Sequence, residues 1–348
     1  MKFQNVRVVS FGYVLPPNVV TSAMIEQRLA PLYERLRLPA GRLELMTGIK
    51  ERRFWNPGAR PSSVAVEAGH KAIEASGIPM EKFGALFHAS VCRDFLEPAT
   101  ACVDHHGLGL PPKCAIFDIS NACLGVINGM LTVANMIELG QVEAGIIVAG
   151  EMGESLVEST IKALLDDKNA TRQSIKPAFA SLTIGSGAVA VVMASSKLAP
   201  NGHKLLGGSV RSATAASELC KSDQDRGFGD GAAPLMQTDS EGLLQAGCAL
   251  AAETWKDFTA EMGMTADHIS RSFTHQVGVA HRNLLYKSIG VDVEKDFATL
   301  EFLGNVGSVS LPVTLAIGAE RGILKKGDTA ALLGIGSGLN CMMMALEW

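Results

Sequence analysis

The residue with the clearest chemical potential is Cys123, in the segment Asp118–Gly129 (DISNACLGVING). The pattern predicts that Cys123 follows a strand and opens a helix. Unpaired N–H groups and the partial positive charge at a helix start lower the pKa of a thiol placed there. Such a thiolate accepts acyl groups from thioesters, so Cys123 is a candidate nucleophile. The alternative is a buried structural cysteine.

Two further polar residues lie at predicted element ends. His275 ends a strand within FTHQV, and Asn305 precedes a helix within EFLGNVGS. A cysteine, a histidine and an asparagine on three strand-end loops can converge on one pocket. The histidine and the amide could then donate hydrogen bonds to a thioester carbonyl and stabilise an enolate. A histidine considered by itself is more often structural or solvated.

The C-terminal segment Gly334–Asn340 (GIGSGLN) is predicted to be a turn between two strands. No lysine or helix follows it, so it is not a phosphate-binding P-loop. We expect its backbone, at Gly336 and Ser337, to approach Cys123 closely and to offer an N–H group to an oxyanion.

Composition excludes several classes of protein. The 348 residues carry a net charge of −4 and no basic stripe, which argues against nucleic-acid binding. No apolar run approaches the roughly 20 residues that span a bilayer, and the N-terminus lacks a signal-peptide core. The seven cysteines include no CxxC pair, so neither a zinc site nor a disulfide framework is expected. These features predict a cytoplasmic protein.

Periodicity predicts alternating strands and helices. The strands are nearly all apolar, which indicates an α/β fold whose sheet is covered on both faces. The predicted strands are Val6–Phe11, Ala85–Ser90, Ala115–Ile119, Ala144–Ala149, Gly187–Ala194, Leu205–Val210, Ser272–His275, Thr329–Leu333 and Cys341–Leu346. The predicted helices are Ser63–Ser76, Leu124–Leu139, Glu241–Met262, Val279–Ser288 and Val309–Arg321.

The chain also shows a weak internal repeat. Two segments 182 residues apart share one pattern, Cys123–Gly140 and Asn305–Gly322. Each is predicted to begin with a turn of small residues, continue as a helix and end at a glycine before an apolar strand. Cys123 and Asn305 would therefore occupy equivalent helix starts. We place a boundary in the Ser195–His203 stretch, with halves 1–198 and 199–348. Ser222–Ala233 is predicted to be a surface loop.

Cys123, His275 and Asn305, in this order and spacing, resemble the ketoacyl-synthase-III-like branch of the thiolase superfamily. The matching motifs are NACLG, HQ, GNVGS and GIGSGLN, together with GIKERR at Gly48–Arg53. The resemblance spans essentially the whole chain. It implies the duplicated five-layer αβαβα fold, a homodimer, and acyl transfer to the cysteine from a coenzyme A or carrier-protein thioester. It implies no metal or redox cofactor.

Within that branch the chain most closely resembles OleA-type enzymes, which join two fatty acyl-CoA molecules head to head into a β-keto acid. The stretch SVCRDFLEPA at Ser90–Ala99 carries the likeness. The resemblance implies that Glu97 enters the partner subunit's active site and removes an α-proton. Two unactivated acyl chains need such a base, because no decarboxylation supplies the carbanion. Without the resemblance, Glu97 would read as a surface acid.

Other assignments stay open at this point. Arg52, Arg53 and Arg211 are candidates for coenzyme A phosphate contacts, and each could equally be an ordinary surface arginine. Gly336 and Ser337 complete the predicted coenzyme A contacts. The competing functions are a decarboxylating 3-oxoacyl-[acyl-carrier-protein] synthase III, an acyltransferase acting on an amine or hydroxyl, and a non-catalytic acyl-CoA-binding partner. Acyl chain length is not predicted.

Overall fold

A large mixed sheet organises the chain. The structure is a computed structural model and describes residues 1–222 and 235–348. The strands are β1 Val6–Val14, β2 Asn18–Thr21, β3 Glu51–Phe54, β4 Phe83–His88, β5 Ala115–Asp118, β6 Ala144–Glu151, β7 Gly187–Ser195, β8 His203–Ser212, β9 Cys220–Ser222, β10 Met236–Thr238, β11 Arg271–Thr274, β12 Thr329–Gly336 and β13 Asn340–Glu347. Nine of them form one sheet in the order β11-β12-β13-β8-β1-β7-β6-β4-β5.

Helices cover both faces of this sheet. They are α1 Ser22–Arg28, α2 Ala30–Leu36, α3 Arg42–Thr47, α4 Pro61–Ser76, α5 Thr100–Leu108, α6 Gly125–Glu138, α7 Glu154–Asp166, α8 Lys176–Phe179, α9 Ser240–Met262, α10 Val279–Ile289, α11 Leu300–Leu303 and α12 Ser310–Glu320. Within the described ranges, no helix is long and apolar enough to cross a membrane.

Three apolar cores show how the layers stack. Alternate residues of a buried strand face opposite layers. In β6, Ile146 and Val148 face the outer helices α4 and α5, while Ile147 and Ala149 face the central helices α6 and α12. In the other half of the sheet, β12 and β13 pack against the same central helices on one face and against α9 and α10 on the other. The order of layers is therefore αβαβα.

The internal repeat appears as the pair of central helices. A 3-10 turn precedes each: Ala122–Leu124 before α6 and Gly307–Val309 before α12. Gly140 (φ +71°) and Gly322 (φ +67°) follow the helices in the left-handed conformation that glycine adopts without strain. The predicted α/β class and duplicated layering are confirmed, and each predicted strand and helix has a counterpart.

The sheet is continuous where the two repeats meet. β1 pairs with β7 along most of its length but with β8 only at Arg7↔Lys204 and Val8↔His203. The predicted division into residues 1–198 and 199–348 falls just before β8 and stays a prediction. The predicted loop at 222–233 lies outside the described residues except for Ser222, which ends β9.

Candidate active site

One largely apolar cavity of about 790 Å³ lies where the two repeats meet. Its wall includes Cys123 in the 3-10 turn before α6, His275 just after β11, and Asn305 ahead of α12. Gly336 and Ser337, from the turn between β12 and β13, line the same cavity. The structure thus brings together residues that are up to 214 positions apart in the chain. The volume is in the range of small-molecule sites.

The backbone around Cys123 is tightly held. Ala122 adopts φ +45°, a left-handed conformation that costs a residue with a Cβ about 1–2 kcal/mol. A Cβ at Gly125 would come within 2.8 Å of the Ala89 carbonyl oxygen. A Cβ at Gly336 would lie 3.0 Å from Leu124 Cγ and 3.6 Å from Cys123 N. The glycine-rich turn therefore lies directly against the turn that carries Cys123, as the sequence predicted.

The expectation of a lowered Cys123 pKa is wrong. Burial raises the pKa of the Cys123 thiol from 9.0 to about 12, and the charge of Glu151 adds to the rise. The backbone N–H groups of Cys123 and Ser337 act in the opposite direction but do not overcome it. Desolvation of the thiolate thus outweighs the stabilisation expected at a helix start. Cys123 rests as a neutral thiol.

His275 is also neutral at rest. Its side chain is buried, and burial, followed by the charge of His281, lowers its pKa to about 3. Its Nδ1 has no hydrogen-bond partner among the described residues. The neighbouring Gln276 fixes the loop, since its Oε1 accepts the Thr299 N–H at 2.9 Å and its Nε2 donates to the Phe297 carbonyl at 3.3 Å.

Asn305 is oriented by its own turn. Its Oδ1 accepts the Gly307 N–H at 3.1 Å, which leaves the amide NH₂ as the group available to a ligand. Its backbone N–H donates to the Thr183 carbonyl at 2.9 Å, and its carbonyl accepts from Gly185 N at 2.8 Å. His275 and Asn305 therefore place neutral hydrogen-bonding groups in the cavity that Cys123 also lines.

Glu97 is exposed and does not line the cavity of its own subunit. The segment that carries it is anchored near its start, because Asp94 accepts the Ser62 N–H at 2.9 Å and the Ser62 hydroxyl at 2.6 Å. Phe95 and Leu96 are each 44% exposed. An acid next to two exposed apolar side chains thus projects from the surface.

The three arginines behave differently from one another. Arg52 is 0% exposed, forms no ion pair within the described residues, and donates to the Val20 carbonyl and to Ser22 Oγ. Its predicted phosphate contact is wrong in this conformation, because the guanidinium is closed off from solvent. Arg53 donates to the Pro16 carbonyl at 3.3 Å, and Arg211 pairs with Asp257 on the surface. Neither lines the cavity.

Several cavity residues are not among the predicted site residues. Glu151 ends the apolar strand β6, and an acid closing an otherwise apolar run is the only local signal it offers. His281 lines the cavity near His275, and burial lowers its pKa to about 4. Two further thiols, Cys92 and Cys220, share the cavity wall with Cys123.

The fold and the cavity define a thiolase-like enzyme of the ketoacyl-synthase-III type. Residues 259–348 match the family described as 3-oxoacyl-[acyl-carrier-protein (ACP)] synthase III C terminal. An acyl-CoA:acyl-CoA alkyltransferase of Shewanella oneidensis is 43% identical over 351 residues, covering 100% of both chains.

Solved structures agree with this class. A variant of Xanthomonas campestris OleA with bound lauric acid and lauroyl-CoA superposes with a TM-score of 0.93 at 37% identity, over 99% of this chain and 100% of that one. A structure described as 3-oxoacyl-(acyl carrier protein) synthase III of Xanthomonas oryzae gives 0.93 at 38% identity, over 100% of both. The chain belongs to the OleA-type, acyl-CoA:acyl-CoA alkyltransferase family of thiolase-like condensing enzymes.

Proposed function

We propose that this enzyme condenses two fatty acyl-CoA molecules head to head, without decarboxylation, to a β-keto acid. The observation that carries the proposal is the meeting of Cys123, His275 and Asn305 in one largely apolar cavity. The similar Shewanella oneidensis protein, described as an acyl-CoA:acyl-CoA alkyltransferase, supports it. The apolar walls suit long acyl chains, whose burial contributes about 0.8 kcal/mol per methylene.

In the first half-reaction, the Cys123 sulfur attacks the thioester carbonyl of one acyl-CoA. As the new S–C bond forms and the acyl bond to the coenzyme A sulfur breaks, the Cys123 proton passes to that sulfur, and coenzyme A leaves as its thiol. Because Cys123 and His275 both rest neutral, proton transfer accompanies attack and no thiolate is formed in advance. The backbone N–H groups of Cys123 and Ser337, which lower the thiol pKa, are suited to stabilise the tetrahedral oxyanion.

In the second half-reaction, a second acyl-CoA loses an α-proton and its enolate attacks the acyl-Cys123 carbonyl. His275 and the Asn305 amide donate hydrogen bonds to the enolate oxygen. The Cys123 thiolate leaves and takes up the proton that was removed from the α-carbon, and water then hydrolyses the β-ketoacyl-CoA to the β-keto acid and free coenzyme A. Such a product is a precursor for long-chain ketones or olefins. The scheme uses no metal or redox cofactor.

The α-proton requires a base, and we assign this role to Glu97 of the partner subunit in a homodimer. Glu97 is exposed in the single subunit, on a segment whose apolar residues Phe95 and Leu96 are also exposed. Phe117, 45% exposed, lies on β5, one of the two edge strands of the sheet formed by the described residues. Exposed apolar side chains and an open sheet edge both support a second copy of the chain as the partner.

Both acyl donors are proposed to be coenzyme A thioesters, and the proposed location is the cytoplasm. The test is incubation of purified protein with one long-chain acyl-CoA, following free coenzyme A and extracting the lipid. We expect a β-keto acid, or the ketone left by its decarboxylation, without added malonyl thioester. Product that forms only when malonyl thioester is added would contradict the proposal and indicate a decarboxylating synthase III.

A further inference from the structure

Glu151 is a buried acid of the cavity to which the reaction scheme assigns no role. It ends β6 after the apolar run Ala144–Gly150, and only 4% of its surface is exposed. A carboxylate has acceptors only, so its burial requires donors from elsewhere in the chain. Within the described residues no basic side chain pairs with it.

The donors come from two separate segments of the active site. Glu151 Oε1 accepts the Val91 N–H at 3.0 Å and the Ser308 N–H at 3.2 Å, while Oε2 accepts the Cys92 N–H at 3.3 Å. The Ser308 hydroxyl oxygen lies 2.9 Å from Oε1 and 2.6 Å from the Ala89 carbonyl oxygen. Hydrogen bonds to a charged acceptor are among the stronger ones in proteins.

Each of these segments leads to a residue of the second half-reaction. Val91 and Cys92 begin the segment that carries Glu97. Ser308 follows directly on the turn of Asn305, and a Cβ at Gly307 would lie only 2.9 Å from Glu151 Oε1. The carboxylate therefore packs against the Asn305 turn on one side and holds the start of the Glu97 segment on the other.

We propose that Glu151 is a positioning residue that couples the Glu97 segment to the Asn305 turn, and so sets the geometry for enolate formation. This inference rests on the proposed function, in which Glu97 takes the α-proton and Asn305 supports the enolate. A misplacement of about 1 Å can cost a reaction about 100-fold, so a tether between these segments has a measurable effect.

The experiment measures each half-reaction separately. Acylation is followed as mass added to Cys123 during a short exposure to lauroyl-CoA. Enolate formation is followed as deuterium entering the α-carbon of lauroyl-CoA in D₂O, in a Cys123→Ala background where acylation cannot occur. Glu151→Ala is expected to slow deuterium entry by about 10- to 100-fold. Acylation should not slow, because the variant also removes the negative charge that raises the Cys123 pKa. Glu151→Gln keeps the Oε1 contacts and is expected to restore most of the exchange.

Glu26 provides the matched control. It is also a buried carboxylate, and it accepts the N–H groups of Gly41 and Leu43 at 2.6 Å each, outside the cavity lining. We expect Glu26→Ala to lower thermal stability without changing the ratio of exchange to acylation. If Glu151→Ala lowers both half-reactions in proportion, or leaves exchange unchanged, the positioning role is refuted.

Two outcomes separate this inference from the proposed function. If lauroyl-CoA takes up no deuterium in the presence of the Cys123→Ala protein, the proposed function itself is contradicted. The same holds if adding Glu97→Ala does not slow this uptake. If uptake depends on Glu97 but not on Glu151, only the positioning role fails. If Glu151→Ala does not fold, Ser308→Ala tests the positioning role instead. Loss of the Ser308 hydroxyl must then slow deuterium exchange while acylation of Cys123 continues.

Discussion

The resting state of the Cys123 thiol gives a quantitative prediction. Burial, with a further contribution from Glu151, raises its pKa from 9.0 to about 12. Below pH 9 the thiolate fraction falls tenfold for each unit that the pKa rises, so this shift makes the thiolate about 1,000-fold rarer than in an ordinary cysteine. Because the thiolate is the form that reacts with alkylating agents, Cys123 should be slow to alkylate in the ligand-free protein.

The assay is iodoacetamide labelling between about pH 6 and about pH 9.5, read by peptide mass spectrometry. Cys102, an exposed cysteine, serves as the internal reference. The Cys123 rate should rise about tenfold per pH unit with no plateau in this range. Glu151→Gln should increase the rate at every pH, because it removes the neighbouring negative charge. A plateau near neutral pH, or labelling of Cys123 ahead of Cys102, would refute the reasoning.

Three further predictions concern single side chains. Glu97→Gln should lower β-keto acid formation by about 100- to 10,000-fold while acyl-Cys123 still accumulates, and unchanged product would remove Glu97 from the mechanism. Arg52→Met should leave the KM for acyl-CoA unchanged and the Tm no lower, because burying a guanidinium that has no ion-pair partner among the described residues costs several kcal/mol. A raised KM would instead support the predicted phosphate contact. Ala122→Gly should not lower the Tm, because relief of about 1–2 kcal/mol of left-handed strain offsets the greater entropy of the unfolded chain, about 0.4–1 kcal/mol. A Tm several degrees lower on thermal unfolding would contradict this.

The layers of the fold could be predicted because the sequence pattern is unusually clear. Buried strands such as β6 and β7 are nearly uninterrupted apolar runs, which indicates a sheet covered on both faces. Gly140 and Gly322 mark the ends of the central helices and reveal the repeat. The short helices α1 to α3 carry a weaker pattern, and their packing against α7 depends on contacts between distant segments.

The site was less predictable, because its electrostatics depend on burial. Backbone N–H groups near the helix start favour a Cys123 thiolate, but desolvation outweighs them, and burial of one thiol cannot be seen in a local motif. The sequence gives no sign that Arg52 is buried, whereas in the structure its side chain packs against Gly185 and Gly304 and is closed off from solvent. Glu151 could not be predicted because its donors at Val91 and Ser308 are 60 and 157 residues away, and no local pattern connects them.

The most direct test asks whether Glu97 of the partner subunit completes each active site. It combines two variants that are expected to be inactive alone, Cys123→Ala and Glu97→Ala. The subunits are co-expressed with different tags, the mixed dimer is isolated, and β-keto acid is measured from a single long-chain acyl-CoA. If Glu97 serves the partner's cavity, one of the two sites in each mixed dimer has both residues, and about half of the wild-type activity per dimer should return. A mixed dimer as inactive as its parents would contradict the account.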